Sequence, residues 1–129
     1  MVRFEAGPIE RFSWGKFIIR GKEHSEGDER VGKGKDICLI GEEVSRWKER
    51  KGHRLAPEML ERVYGRGIEV LVIGCGVHRA LECPDDVIAA AHQHGIAEVI
   101  VKATPEACQE YNRLYNQGRR VALLAHGTC

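Results

Sequence analysis

Cys75 sits between the glycine pair Gly74 and Gly76, with His78 and Arg79 just beyond it, and together these three are the residues of this chain whose types and spacing best suggest chemistry. A thiol beside an imidazole can be activated as a nucleophile, and an arginine can hold an anion. Glycines admit positive φ and let a backbone approach a ligand closely, so Gly74-Cys75-Gly76 could line a ligand cleft. The pattern is not a dinucleotide fingerprint, because Arg79 stands where the third glycine belongs. The helix expected after it begins Pro84-Asp85-Asp86, and those acids would repel a phosphate. No third group in the sequence orients a Cys75–His78 pair, so Cys75 reads first as a small apolar residue at a strand end. Adding Cys83 gives a Cys-x2-His-x4-Cys spacing without a fourth ligand, which is not a zinc pattern, so no metal and no cofactor are expected. His92 and His94 fall on different faces of a helix. Lys102 completes the residues an enzyme here could use.

The elements that position these residues follow from periodicity. Ile68 to Gly76 is a short apolar, β-branched run ending in Gly-x-Gly, which reads as a buried strand and a tight turn. Ligands of α/β proteins often sit beyond the carboxyl end of such a strand. Before it, Phe12 to Arg20 reads as one half-buried strand with Phe12, Trp14, Ile18 and Arg20 on a shared face. Asp36–Ile40 and Glu43–Trp47 read as strands, and Gly21 to Gly34 as a long hairpin loop. A helix is expected from Pro57, striped by Met59, Leu60, Val63 and Tyr64. A second follows Pro84. A third follows Thr104-Pro105-Glu106, with Thr104 as its cap. Strands are expected at Glu69–Ile73, Ala97–Val101 and Arg120–Ala125, joined by right-handed crossovers wherever neighbours are parallel.

The 129 residues suit one domain spanning 1–129, large enough to fold without disulfides or metal. A net charge of +1 argues for neither a nucleic-acid nor a membrane partner. Five cysteines with no Cys-x-x-Cys, no secretory pattern and no apolar run of about 18 residues make a reduced, cytoplasmic protein the expectation. Arg46 to Arg54 carries +4 over nine residues around Trp47 and reads as a solvated loop anchored by its tryptophan, with RNA binding as the alternative. Tyr111 and Tyr115 share a helix face and read as core. His126 to Cys129 reads as a polar tether over the sheet edge.

The ordered set Phe12-Ser13-Trp14-Gly15, Trp47 with Gly52-His53, Leu71 to Gly76, His94-Gly95-Ile96, Thr104 through Val121, and His126-Gly127-Thr128-Cys129 resembles the Mth nine-three-eight domain family. That family includes the adipogenesis-associated domain protein and a mitochondrial complex I assembly factor. The resemblance implies a three-layer β/β/α domain, with a central mixed sheet, helices on one face and a hairpin layer from the N-terminal third. It implies no reaction. The leading expectation is a binding or assembly-type domain for a partner protein, with Gly74–Gly76 lining its cleft. The rival is a small-molecule binder or enzyme using Cys75, His78 and Arg79.

Overall fold

The structure, a computed structural model, describes residues 1–25 and 36–129. Two sheets form. The smaller is antiparallel in the order β1-β2-β3-β4, from Val2–Arg3, Ile9–Ser13, Lys16–Ile19 and Lys22–His24. The central sheet has β5 (Ile37–Ile40), β6 (Glu43–Arg46), β7 (Val70–Gly74), β8 (Glu98–Lys102) and β9 (Val121–Ala125), ordered β6-β5-β9-β7-β8. β7 runs parallel to both β8 and β9, whereas β5 is antiparallel to β9, so the sheet is mixed as expected.

The expected single strand from Phe12 to Arg20 is a hairpin instead. Trp14-Gly15 makes the turn, with Gly15 at φ +70°, and Phe12 pairs directly with Phe17, their rings 4.9 Å apart. Phe12, Phe17 and Ile19 are buried while Trp14 is 51% exposed. A reversal inside the run moves the inward face from Trp14 to Phe17, which one uninterrupted alternation cannot anticipate. β4 occupies the start of the expected Gly21–Gly34 loop, whose remainder falls largely outside the described residues.

The helix expected at Pro57 is a 3-10 helix, Pro57–Val63, burying Leu60 and Val63. The α-helices are α1 (Asp85–Gln93) and α2 (Thr104–Asn116). They divide between the two faces of the central sheet, where the resemblance implied one. Val70 and Val72 pack with Ala107, Tyr111 and Leu114 of α2 and with Ile9, Phe12 and Phe17 of the small sheet. Leu71, Ile73 and Cys75 pack on the opposite face with Val87 and Ala91 of α1, Leu60 and Trp47. The topology explains this. The chain steps outward from β7 to β8, then back over β7 to β9. Two right-handed crossovers running in opposite directions place their helices on opposite faces. β7 and β9, both fully buried, therefore flank the point where the winding reverses.

α2 is locked to the small sheet by Asn112, whose Nδ2 donates to the Ile9 carbonyl (2.8 Å) while its Oδ1 accepts from the Ile9 N–H (3.1 Å). Thr104 does not cap α2. It is the helix's first residue, and its hydroxyl is used elsewhere.

Candidate site at the carboxyl ends of β7 and β9

A sheet whose winding reverses opens a crevice beyond the carboxyl ends of its two middle strands, where ligands of α/β folds collect. Here those ends are Gly74 of β7 and Ala125 of β9, directly paired. The crevice is filled from β9 by the segment His126–Cys129. The His126 N–H donates to the Gly74 carbonyl (2.9 Å), the Val77 N–H to the Thr128 carbonyl (2.6 Å), and the N–H groups of His78 and Ala80 to the Cys129 backbone oxygen (both 3.1 Å). The hairpin tip adds Gly15 N–H to the Gly127 carbonyl at 2.6 Å. Buried Thr104 stitches both sides: its hydroxyl donates to the His126 carbonyl (2.7 Å) and accepts from the Gly76 N–H (2.8 Å).

The glycine loop is thus the seat of the segment His126–Cys129. Gly76 has φ +96°, and a Cβ there would fall 2.6 Å from the Cys129 oxygen. Cys75 is buried in the core, and burial raises its thiol pKa against the opposing charge of Arg79. Among the described residues no side chain hydrogen-bonds the Cys75 sulfur. His78 lies beside Trp14, ring centres 6.1 Å apart, and Arg79 takes φ +57° in the turn. Cys75, His78 and Cys83 form no ligand-distance group among the described residues. Burial, then the neighbouring Cys75 and the acids Asp86 and Asp85, push the Cys83 thiol up to about 11.

What converges instead is a set that sequence reasoning missed. Asp36, just ahead of β5, accepts from His126 Nδ1–H (2.8 Å) and from the Gly127 N–H (3.1 Å) through Oδ1. Its other oxygen accepts from Arg50 Nε, and Arg50 also reaches the Gly52 carbonyl. Asp36 and His126 are 7% and 3% exposed. Burial works to raise the Asp36 carboxyl pKa, but the His126 hydrogen bond and the Arg50 charge outweigh it and leave the group below its ordinary value. An ionised carboxylate only accepts, so Nδ1 of His126 carries a proton, and in the neutral ring the lone pair is on Nε2. That lone pair points toward Cys129 Sγ at 3.6 Å, with the Thr128 hydroxyl at 3.3 Å. His53 Nε2 lies 3.3 Å from the same sulfur. The ligand atoms of His53, His126 and Cys129 all lie within 4.8 Å of one another.

His53 is delivered by the charged loop after β6. Trp47 anchors that loop, 2% exposed and donating Nε1–H to the Met59 carbonyl (2.8 Å). Glu49 fixes it further through a two-point pairing with Arg62 (both 2.8 Å). Two chemistries suit a thiol among imidazoles. A nucleophile–base–carboxylate relay would use Cys129, His126 and Asp36 and would leave His53 without a role. A metal ion would use both imidazoles. Metal–sulfur and metal–nitrogen bonds of about 2.3 and 2.0–2.1 Å at a tetrahedral angle separate sulfur from each nitrogen by about 3.6 Å, close to the 3.3 and 3.6 Å observed. Asp36 on the far nitrogen of His126 is the usual outer partner of a metal-bound histidine.

A sequence profile described as "Protein of unknown function (DUF498/DUF598)" matches residues 9–126. The chain belongs to this family. Among solved structures, the conserved hypothetical protein PH1505 from Pyrococcus horikoshii OT3 is similar, with a TM-score of 0.76, 26% identity, and 94% of this chain and 98% of that chain covered. MT938, which bears the name of the nine-three-eight family, matches with a TM-score of 0.71 and 27% identity over 94% of this chain and 97% of its own. The family and the two-sheet α/β fold are therefore those the resemblance implied, apart from the division of the helices between two faces, and neither carries an assigned reaction. An 81-residue stretch is 32% identical to an S-adenosylmethionine:tRNA ribosyltransferase-isomerase of Desulfitobacterium hafniense, covering 60% of this chain. The chain spans only 22% of that enzyme's length. Among the described residues no helix is long and apolar enough to cross a membrane.

Proposed function

We propose that this domain binds a zinc-class metal ion through His53, His126 and Cys129, at the mouth of the switch-point crevice. The observation that carries this reading is the convergence of two imidazole nitrogens on one thiol sulfur, with Asp36 holding one imidazole in the ligating tautomer. A relay needs one such imidazole; an ion needs both. Three protein ligands leave one tetrahedral position for water or a ligand, the arrangement of a working rather than a structural zinc site. The reading departs from the sequence expectation of no metal, which weighed Cys75, His78 and Cys83. Purified protein titrated with zinc against a chromophoric chelator is expected to take up one equivalent. His53→Ala and Cys129→Ser should each weaken uptake strongly while melting like the parent. Parent protein that takes up none would end the reading.

Partner-protein binding in the cytoplasm is the second reading. It is favoured by Trp14, a large aromatic side chain left half-exposed at the hairpin tip beside His78. Pull-down with a Trp14→Ala comparison tests it. The tRNA-modifying relative raises RNA as a ligand, but the loop's one aromatic, Trp47, is committed to the core and leaves no platform for base stacking.

A further inference from the structure

We infer that the groove beside the His53–His126–Cys129 centre is an anion site that takes a small phosphate-bearing ligand and presents an oxygen to the open metal position. The inference rests on the metal reading above and adds the class of its ligand. The groove has a volume of about 480 Å³ and is lined by Asp36, Arg46, Lys48, Arg50, Lys51 and Gly52, among others. Small-molecule sites span roughly 300–1,000 Å³, so it is large enough for one ligand.

Two links join the groove to the centre. Gly52 in its wall is followed directly by the ligand His53, and Asp36 in its floor holds the ligand His126. The charges divide into two kinds. Arg50 is neutralised by Asp36 and clamped on the Gly52 carbonyl, so it shapes the wall rather than meeting a ligand. Arg46, Lys48 and Lys51 have no ion-pair partner among the described residues, although Arg54, Arg62 and Arg66 in the same region are all paired. The nearby acid Glu49 is itself held by Arg62. Three such cations thus gather within six residues at the rim of a groove whose one carboxylate is already balanced.

That charge matches an oxyanion carrying two to three negative charges. Phosphate oxygens suit both donor types present, the planar fork of Arg46 and the point charges of the lysines. A carboxylate ligand would satisfy one of the three cations, whereas a diphosphate can span them.

The probe is inorganic pyrophosphate, titrated calorimetrically into zinc-loaded protein and into the Arg46→Ala/Lys48→Ala/Lys51→Ala variant, with zinc uptake measured on both. The variant is expected to keep its zinc and to bind pyrophosphate at least about tenfold more weakly, since it lacks three charge-assisted donors to the phosphate oxygens. Parent affinity should also fall as salt rises. Equal pyrophosphate affinity in the two zinc-loaded proteins overturns the groove proposal and leaves the metal reading intact. Absence of zinc uptake by the parent overturns the metal reading, and with it the proposed ligation. Tighter binding of a single-stranded oligonucleotide than of pyrophosphate, abolished in the variant, assigns the groove to nucleic acid and also overturns the proposal.

Discussion

Replacing Gly76 with alanine tests whether the tail seated on the glycine loop builds the site. A Cβ at this position would lie 2.6 Å from the Cys129 oxygen and 3.1 Å from His126 Cδ2, well inside contact distance of the two tail residues that supply ligands. It would also carry a side chain at φ +96°, which costs about 1–3 kcal/mol by itself. The tail is held at this loop by the N–H groups of Val77, His78 and Ala80. At a net value of about 1 kcal/mol each, releasing it costs about 3 kcal/mol. The variant escapes the clash by letting Thr128 and Cys129 go, so the Cys129 ligand loses its position while Asp36 and Thr104 still hold His126, and zinc affinity should fall by about a hundredfold, a change of roughly 2.7 kcal/mol. Gly118→Ala is the control. Gly118 has φ +76° and nothing within 4 Å of its missing Cβ, so it reports backbone strain without a clash. Chelator competition and the rate of Cys129 alkylation are the measurements. Alkylation should quicken in Gly76→Ala and not in Gly118→Ala. Zinc affinities within about threefold of each other in the two variants would refute the reasoning.

Thr104→Val keeps the shape but strands the Gly76 N–H and the His126 carbonyl; a loss of about 2–3 kcal/mol in urea unfolding is expected, with weakened zinc uptake, since buried unpaired polar groups each cost about 1–3 kcal/mol. Asn112→Asp removes the donor to the Ile9 carbonyl, 2.8 Å away, and places a carboxylate in a buried site; the urea midpoint should drop while the site, on the far end of α2, keeps its metal affinity. Iodoacetamide at neutral pH should label Cys129 before Cys38, Cys75 and Cys108, which are buried, and peptide mass spectrometry reads the order. The fold should weaken between pH 9 and 11: burial pushes the Cys38 and Cys83 thiols up to about 11 from 9.0, so the unfolded chain releases its protons first and stability present below pH 9 is lost as pH rises through that window. Urea midpoints across the range, with Cys83→Ser flattening the slope, check it.

The α/β class and the strand beyond which a site must lie were legible because they rest on local pattern. Ile68 to Gly76 is apolar almost throughout and ends in glycine, the pattern of a strand buried on both faces and then a turn. The hairpin at Trp14-Gly15 was hidden, because alternation looks alike on both sides of a two-residue turn. Thr104 carried a cap signature, yet its hydroxyl serves Gly76 and His126, partners 28 and 22 residues away. Local rules drew attention to Cys75, His78 and Arg79 because these lie within or just after the glycine pair in sequence. The equivalent signal at the end of β9, His126 and Cys129 after an apolar strand, was present but reads as a tail until the strand order is known.

The sequence by itself determined the family, the buried strands and the choice of the β7 carboxyl end, since periodicity and glycine placement act over a few residues. Only the tertiary structure decided what occupies that end. Parallel pairing of β7 and β9 brings His126 and Cys129 over Gly76. Antiparallel pairing of β5 with β9 sets Asp36 against His126 across 90 residues. The packing of Trp47 delivers His53. Side chains that far apart along the chain meet through sheet register and core packing, and neither has a local spacing from which it can be read.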